Sequence, residues 1–456
     1  MSFDHLNRAF HVAHAAGAIR GNGVRVLKST ASFLWVGLVG VAACKAEPPD
    51  TGTEDEQGCG EVFLCEDDLE VVAETQRSLS GATLVNGSIY AISVGDLAGT
   101  GSPQVLLGTT YTATILDGEG FTTAKELWTQ PGDGRAVYPE IGDLTGDGQP
   151  DLVLGLPGSD DGAGQVVVFP GPVVEPVTWG TSNIQVKGSD HAGQAPKVTD
   201  LNGDGLHDLV TWSDETVWVR FGPVLETEPL GRPEDTFWNK DEGIELIAVD
   251  APGDLTGDGV PDLAIVLGEG PEDTCSGVLY QLHIVPGPLS AGELDLQDPV
   301  LNYEGLELYS ELMAPALDDW NDDGVVDAAF VSINREFPDL VWFQIQVYFG
   351  PLDGGEPFAR FGAYGIPIGL VDFDSDGTLD LFQTYLTGMV AGPLDEQPLG
   401  YGEDCTLELA EDWTGGHFDS EVGWVGDLDG DGEPDIIMGG NYESEAAAMV
   451  VLSSQL

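Results

Sequence analysis

The sequence predicts an all-β chain, a seven-bladed β-propeller of four-stranded blades, on three observations. An acidic nine-residue phrase recurs seven times, beginning at Asp96, Asp143, Asp200, Asp254, Asp319, Asp372 and Asp427, with neighbouring copies 47, 57, 54, 65, 53 and 55 residues apart. That is the period of one supersecondary unit rather than of a domain. A second signal recurs later in the units, a Gly-Pro stop after a short apolar run: FPGP at 169–172, FGP at 221–223, VPGP at 285–288, FGP at 349–351 and AGP at 391–393. Composition agrees, since 63 glycines, 28 prolines and 42% hydrophobic residues describe a turn-rich β chain able to bury a large core.

Residues 1–43 differ in kind. Arg20, Arg25 and Lys28 precede a 13-residue apolar run, Ala31 to Ala43, that ends Val-Ala-Ala before Cys44. This is the layout of a secretory signal peptide, and the run is too short to cross a bilayer, which takes about 20 residues. The Val-Ala-Ala-Cys ending resembles the lipobox of bacterial lipoproteins, which implies lipidation of Cys44; a cleaved signal beside a chance cysteine is the alternative. Residues 1–19 are then a superfluous extension, and the true start is expected downstream, near Val24 or Val26.

Residues 44–79 form a lead-in. Lys45 to Gly58 is acidic, carries Pro, Gly and Thr, and lacks apolar periodicity, which predicts a flexible tether. With Cys44 lipidated, Cys59, Cys65, Cys275 and Cys405 remain. Export permits disulfides; a Cys59–Cys65 loop is one option among the three pairings that four cysteines allow. None has the paired C-x-x-C spacing of a zinc site.

From 80 to 456 each unit reads as four strands. In the second, they are expected near Val137 to Gly142, at Asp151 to Gly155, at Gln165 to Phe169, and near Asn183 to Lys187, with the acidic phrase turning the chain between the first two. Glycine frees the backbone and proline cannot extend a ladder, so Gly-Pro ends the third strand. The seventh unit supplies three strands, the third being Ala447 to Leu452, and a strand within residues 80–87 is expected to complete it and close the ring. Trp128, Trp179, Trp238 and Tyr303, near outer strands, are expected to be packing residues.

The acidic phrase has the chemistry of a hard-cation loop. Side-chain oxygens at positions 1, 3, 5 and 9, with the backbone carbonyl of position 7, can converge on one calcium ion. Six copies keep every such oxygen: Asp143, Thr145, Asp147, Asp151; Asp200, Asn202, Asp204, Asp208; Asp254, Thr256, Asp258, Asp262; Asp319, Asn321, Asp323, Asp327; Asp372, Asp374, Asp376, Asp380; and Asp427, Asp429, Asp431, Asp435. The last two, with four carboxylates each, are expected to bind most tightly. The first has Ala98 and Gln104 at positions 3 and 9 and is expected to be empty. Carboxylates about 4 Å apart repel by roughly 1 to 4 kcal/mol per pair, so about six structural calcium ions are expected. An EF-hand would close with Glu at position 12 inside a helix; here a strand follows position 9.

The run GDLTGDGQPDLVLGLPGSDDGAGQVVVFPGP at 142–172 resembles the FG-GAP repeat family, the calcium-loop repeats of the integrin α-subunit β-propeller, also found in bacterial surface proteins. Leu156-Pro157 stands for the family's Ala-Pro, and Val166 to Gly171 for its closing strand. The resemblance covers about 80–456 and implies a propeller with calcium loops.

Fifteen basic against 79 acidic residues leave a formal charge of −64, which excludes nucleic acid as a partner, since its phosphates need Lys and Arg clusters. No G-x-S-x-G, H-E-x-x-H, Walker A or dinucleotide glycine motif is present. His207 lies within a loop at a position expected to face solvent. The reading is a monomeric, non-enzymatic scaffold binding an unknown protein or glycan, held to the membrane by lipid alone on an outer-membrane, outward-facing envelope surface. The Gly268 to Gly277 connection is the first expected contact surface. A carbohydrate-binding, lectin-like propeller and a polysaccharide-degrading enzyme are the alternatives. Fold alone does not decide between them.

Overall fold

The computed structural model describes residues 88–117, 121, 123–129, 136–178, 184–241, 243–269, 277–306, 314–334, 342–362, 367–372, 378–383, 388–390, 405–406, 418–430, 432, 434–442 and 445–451, with 42–43, 60–61 and 83–84. All belong to the second of two units, residues 42–456. Cys44, expected to be lipidated, the expected tether, Cys59, Cys65, Cys275, Trp179 and most of the Gly268 to Gly277 connection lie outside the described residues. Of the segments before residue 88, three two-residue strands are described: Ala42–Ala43 paired with Gly60–Glu61, and Thr83–Leu84.

The architecture is an all-β propeller. Successive sheets begin with the strands Ile89–Gly95, Tyr138–Gly142, Gln194–Thr199, Ile244–Gly253, Ala316–Asp318, Pro367–Val371 and Phe418–Gly426. Each of these strands stands beside the next, and the last packs against the first, so the sheets close a ring. In the second unit the strands are Tyr138–Gly142, Asp151–Leu156, Gln165–Phe169 and Ile184–Lys187, joined as antiparallel neighbours. A tight turn at Ser159–Gly162, in which Asp160 and Asp161 take left-handed φ of 54° and 57°, lies between the second and third.

Uniform four-stranded blades need one correction. Among the described residues five sheets of the ring have four strands and two have five. The fifth is a two-residue segment of the following unit, Glu228–Pro229 or Gly292–Glu293, running parallel to the outer strand in registers Val186↔Glu228 and Thr236↔Gly292. It covers an edge that would otherwise present unpaired backbone groups. A two-residue strand has no periodicity for a sequence pattern to reveal.

Thr83–Leu84 pairs antiparallel with Glu445–Val451 in the last sheet, Thr83 opposite Ala448 and Leu84 opposite Ala447. This is the closing strand expected within 80–87. It joins the N-terminal part of the ring to the C-terminal part through backbone hydrogen bonds.

Second and third strands are sandwiched by neighbouring sheets on both faces, which accounts for their continuous apolar runs. Every residue of Asp151–Leu156 and of Gln165–Phe169 is buried. Trp128 and Tyr303 pack in this core as expected. Tyr303 stacks on Tyr280 at 5.7 Å and lies 4.2 Å from Phe330, which stacks on Tyr348 at 5.5 Å, so an aromatic ladder crosses from one sheet into the next.

The Gly-Pro stops do more than end strands. The residue after each proline donates its N–H to the position-2 carbonyl of the preceding unit's loop: Val173 to Leu97 (3.0 Å), Val224 to Leu144 (2.9 Å), Leu289 to Leu201 (2.7 Å) and Leu352 to Leu255 (3.1 Å). The peptide bonds before Pro172, Pro223, Pro288 and Pro351 are cis. A Cβ on Gly171 would lie 1.9 Å from the Pro150 carbonyl oxygen, and one on Gly222 would lie 2.1 Å from that of His207. The glycine is therefore demanded by close approach to the loop of its own unit.

Candidate metal centre

Each acidic loop connects the first and second strands of its sheet, and its side chains divide into two groups. Position 1 gathers the loop's backbone. Asp200 Oδ1 accepts the N–H groups of Gly203 and Asp204, and Oδ2 accepts that of Gly205 at 2.8 Å. Asp143, Asp254, Asp319 and Asp427 repeat the pattern. Position 5 stabilises the turn, Asp204 Oδ1 accepting from Leu206 N–H and Asp258 Oδ1 from Val260 N–H, both at 2.9 Å. The glycine at position 6 has positive φ in every described loop, 86° at Gly148, Gly205 and Gly259, which a Cβ would oppose.

Position 9 is different, because Asp151, Asp208, Asp262, Asp327, Asp380 and Asp435 are fully buried. Asp208 Oδ2 accepts the N–H groups of Leu201 and Asn202 at 2.9 and 3.2 Å, while Oδ1 accepts that of Gly222 at 2.9 Å. The same Oδ1 bond runs from Gly171 to Asp151, Gly287 to Asp262 and Gly350 to Asp327. One carboxylate thus ties the start of its loop to the Gly-Pro stop of its own sheet. Sequence reasoning assigned this residue to metal alone and missed its backbone role. The signal was present in the pairing of loop and Gly-Pro within the same units.

Burial pushes the Asp208 and Asp327 carboxyls up to about 6, against the opposing pull of their backbone N–H partners. Asp151 and Asp262 are raised for the same reason. Keeping them ionised at neutral pH costs free energy that a bound cation would offset. Two further observations fit a hard cation. Asp427, Asp429 and Asp435 hold carboxylate oxygens within 4.8 Å of one another. Thr256 Oγ1, at position 3, is buried beside the Asp262 carboxylate. A carboxylate has room for about four acceptor contacts, so these oxygens can serve both backbone and metal.

Asn202 and Asn321 place their Oδ1 atoms on the N–H of Asp204 and Asp323. Thr145 N–H donates to Asp151 Oδ2. Asp372 and Asp380 flank a loop whose Asp374 and Asp376 lie outside the described residues, as does Asp431. In the first loop Gln104 Oε1 accepts the Ala98 N–H at 3.0 Å, reproducing one arm of the buried aspartate with a neutral amide. Backbone N–H groups of Gly101 and Thr100 hold Asp96 below the usual carboxylate range.

His207 departs from expectation. Its Nδ1 is buried without a hydrogen-bond partner, and the ring lies beside Gly142 at the base of the preceding loop. Position 8 faces the neighbouring sheet rather than solvent, as Val326 does against Gly253.

The first strands also carry charges that the repeats did not announce. Lys197 Nζ lies 3.1 Å from Asp250 Oδ1 on the next sheet. Asp250 chiefly, and Glu140 on the preceding sheet, raise the lysine above its ordinary value. Burial raises Glu140, with Lys197 opposing.

No protein-family model matches the chain, and no curated protein matches it. Among solved structures the chain is similar to the crystal structure of BBS1N in complex with ARL6DN, soaked with lead, at 11% identity and a TM-score of 0.45, covering 82% of this chain and 96% of that one.

Proposed function

We propose that the chain is a calcium-stabilised, seven-bladed propeller of FG-GAP type that serves as a protein-binding or adhesion scaffold, tethered through lipidated Cys44 to the outside of a bacterial envelope. The observation that carries the calcium reading is the convergence of Asp427, Asp429 and Asp435, with an equivalent buried aspartate in each of the five loops from Asp143 to Asp380. In each loop the carboxylates at positions 1, 5 and 9, with the oxygen at position 3, would hold the ion. Calcium would supply positive charge to groups that burial otherwise drives toward the neutral form. A closed ring with rigid, metal-braced turns suits a display surface, and the acidic exterior keeps it soluble.

Calorimetric melting of residues 59–456 in calcium and in excess chelator tests the reading. A ligand that binds the native state alone raises the melting temperature by mass action, so a large shift with about six ions bound per chain is expected. An unchanged melting curve would sink calcium stabilisation. Incorporation of labelled fatty acid in bacterial cells, lost in Cys44→Ala, is expected for the tether.

A further inference from the structure

Two cavities occupy the same place in two units, beside the Phe-Gly-Pro at the end of the third strand. One, of about 200 Å³, lies against Phe221 in the third unit; the other, of about 250 Å³, lies against Phe349 in the fifth. Both have acidic walls, but they differ in how that charge is met.

In the third unit the chain supplies its own cations. Arg220 donates from Nε and Nη2 to Asp235 at 3.0 and 2.8 Å, and Arg232 is engaged by Glu228 and Glu234. In the fifth unit Tyr348 stands where Arg220 does, before the phenylalanine, and among the described lining residues there is no Lys or Arg to meet Asp353 and Glu356. Asp353 accepts only a neighbouring backbone N–H, that of Gly355, at 3.1 Å. Glu356 pairs with Arg360 at the surface at 3.0 Å, its side chain still 90% exposed.

The remaining walls are aromatic: Tyr348, Phe349 and Phe358. Phe349 and Phe358 lie 4.6 Å apart with their planes at 46°, so they form a wedge rather than a stack. Phe358 is 46% exposed and can be reached from solvent, while its backbone N–H is fixed to the Val347 carbonyl at 2.8 Å. Tyr348 stacks on Phe330, and its hydroxyl donates to Gln346 Oε1 at 3.1 Å, so its ring rather than a free hydroxyl is what it offers.

Aromatic faces attract a cation held within about 6 Å of the ring centre, and carboxylates nearby add to that field. A bare metal ion needs several oxygen ligands, and among the described residues only Asp427, Asp429 and Asp435 bring three ligating groups together. A primary ammonium is strongly hydrated and gives up its water reluctantly. A methylated ammonium spreads its charge over methyl groups that pack on apolar rings, which suits both kinds of wall. The cavity is smaller than a drug-sized pocket of about 300 Å³, so it fits a head group rather than a large molecule.

We propose that this cavity binds a methylated ammonium cation, a trimethylammonium head, against Tyr348, Phe349 and Phe358 with Asp353 and Glu356 at its rim. The site uses no residue of the acidic loops and does not rest on the calcium reading.

The test is saturation-transfer NMR and calorimetric titration of the full chain in calcium with choline and with Nε-trimethyllysine amide, which carry the same head on a small molecule and on a protein side chain. At least one is expected to bind at one site per chain, and the tighter identifies the source. The uncharged isostere 3,3-dimethylbutanol is expected to bind at least about tenfold more weakly, and phosphocholine, whose phosphate meets the acidic rim, at least about fivefold more weakly. Phe358→Leu, which keeps an apolar side chain without a π face, is expected to lose about fivefold or more in affinity at an unchanged melting temperature, and Phe358→Trp to retain or tighten binding. Leu225→Ala, at the matching cavity of the third unit, is expected to leave binding unaltered. The proposal is overturned if neither ammonium binds, if the uncharged isostere or phosphocholine binds equally well, or if Phe358→Leu leaves the affinity where it was.

Discussion

Asp322 sits at the fourth position of its loop with φ of 58°, where Gly146, Gly203 and Gly257 stand in other loops. Aspartate tolerates the left-handed region better than most residues but still meets its Cβ penalty. Asp322→Gly is therefore expected to stabilise the chain by about 0.5 kcal/mol, the relief of strain exceeding the added freedom of the unfolded chain; the denaturant midpoint reads this directly. Lys197 gives a pH-dependent case. Its folded value is raised, so its ion pair is present below the unfolded lysine value and is lost only as pH rises through the folded one. Glu140 is also raised, so the folded state takes up that proton first as pH falls, and the acid's ionisation costs stability as pH rises. Lys197→Met leaves Glu140 and Asp250 without their shared cation, and half-buried charges of this kind are worth about 1–2 kcal/mol near pH 7.5. The loss is expected to shrink as pH falls and Glu140, whose folded value is raised, takes up its proton, in paired thermal melts of variant and parent. Loop residue types were legible because positions 1, 5 and 6 act within nine residues. The Glu140–Lys197–Asp250 group was not, because its members come from three units and share no local pattern.

At the scale of elements, loop and Gly-Pro stop form one device. The buried aspartate ties the two together within a sheet, and the residue after the proline reaches the preceding loop, so the second, third, fourth and fifth sheets are each fastened to the one before. Gly222→Ala would drive a Cβ against the His207 carbonyl and displace the N–H that Asp208 accepts. Overpacking against backbone together with a lost buried hydrogen bond is expected to cost about 3 kcal/mol, seen as a lower melting temperature in calcium and in chelator alike. Both halves of this device stood in the sequence as recurrent motifs. Their connection did not, because the spacing from Asp151 to Gly171, Asp208 to Gly222 and Asp262 to Gly287 varies with the intervening strands.

At the scale of the whole molecule, the ring is closed by backbone pairing of Thr83–Leu84 with Glu445–Val451. A chain beginning at residue 88 would leave that edge open, and exposed strand edges pair with other chains. It is expected to melt at lower temperature and to associate with rising concentration in analytical ultracentrifugation, whereas the longer chain stays monomeric. The sequence by itself determined the all-β class, the repeat period, the place of the acidic turns and the need for a closing strand, because each rests on spacing within one unit or on a count of units. The tertiary structure decided which carboxylate of each loop is buried, where His207 turns and which sheets gain a fifth strand. Those depend on what packs opposite a residue, and in a ring of repeats that neighbour is supplied by another unit, some fifty residues away in the chain.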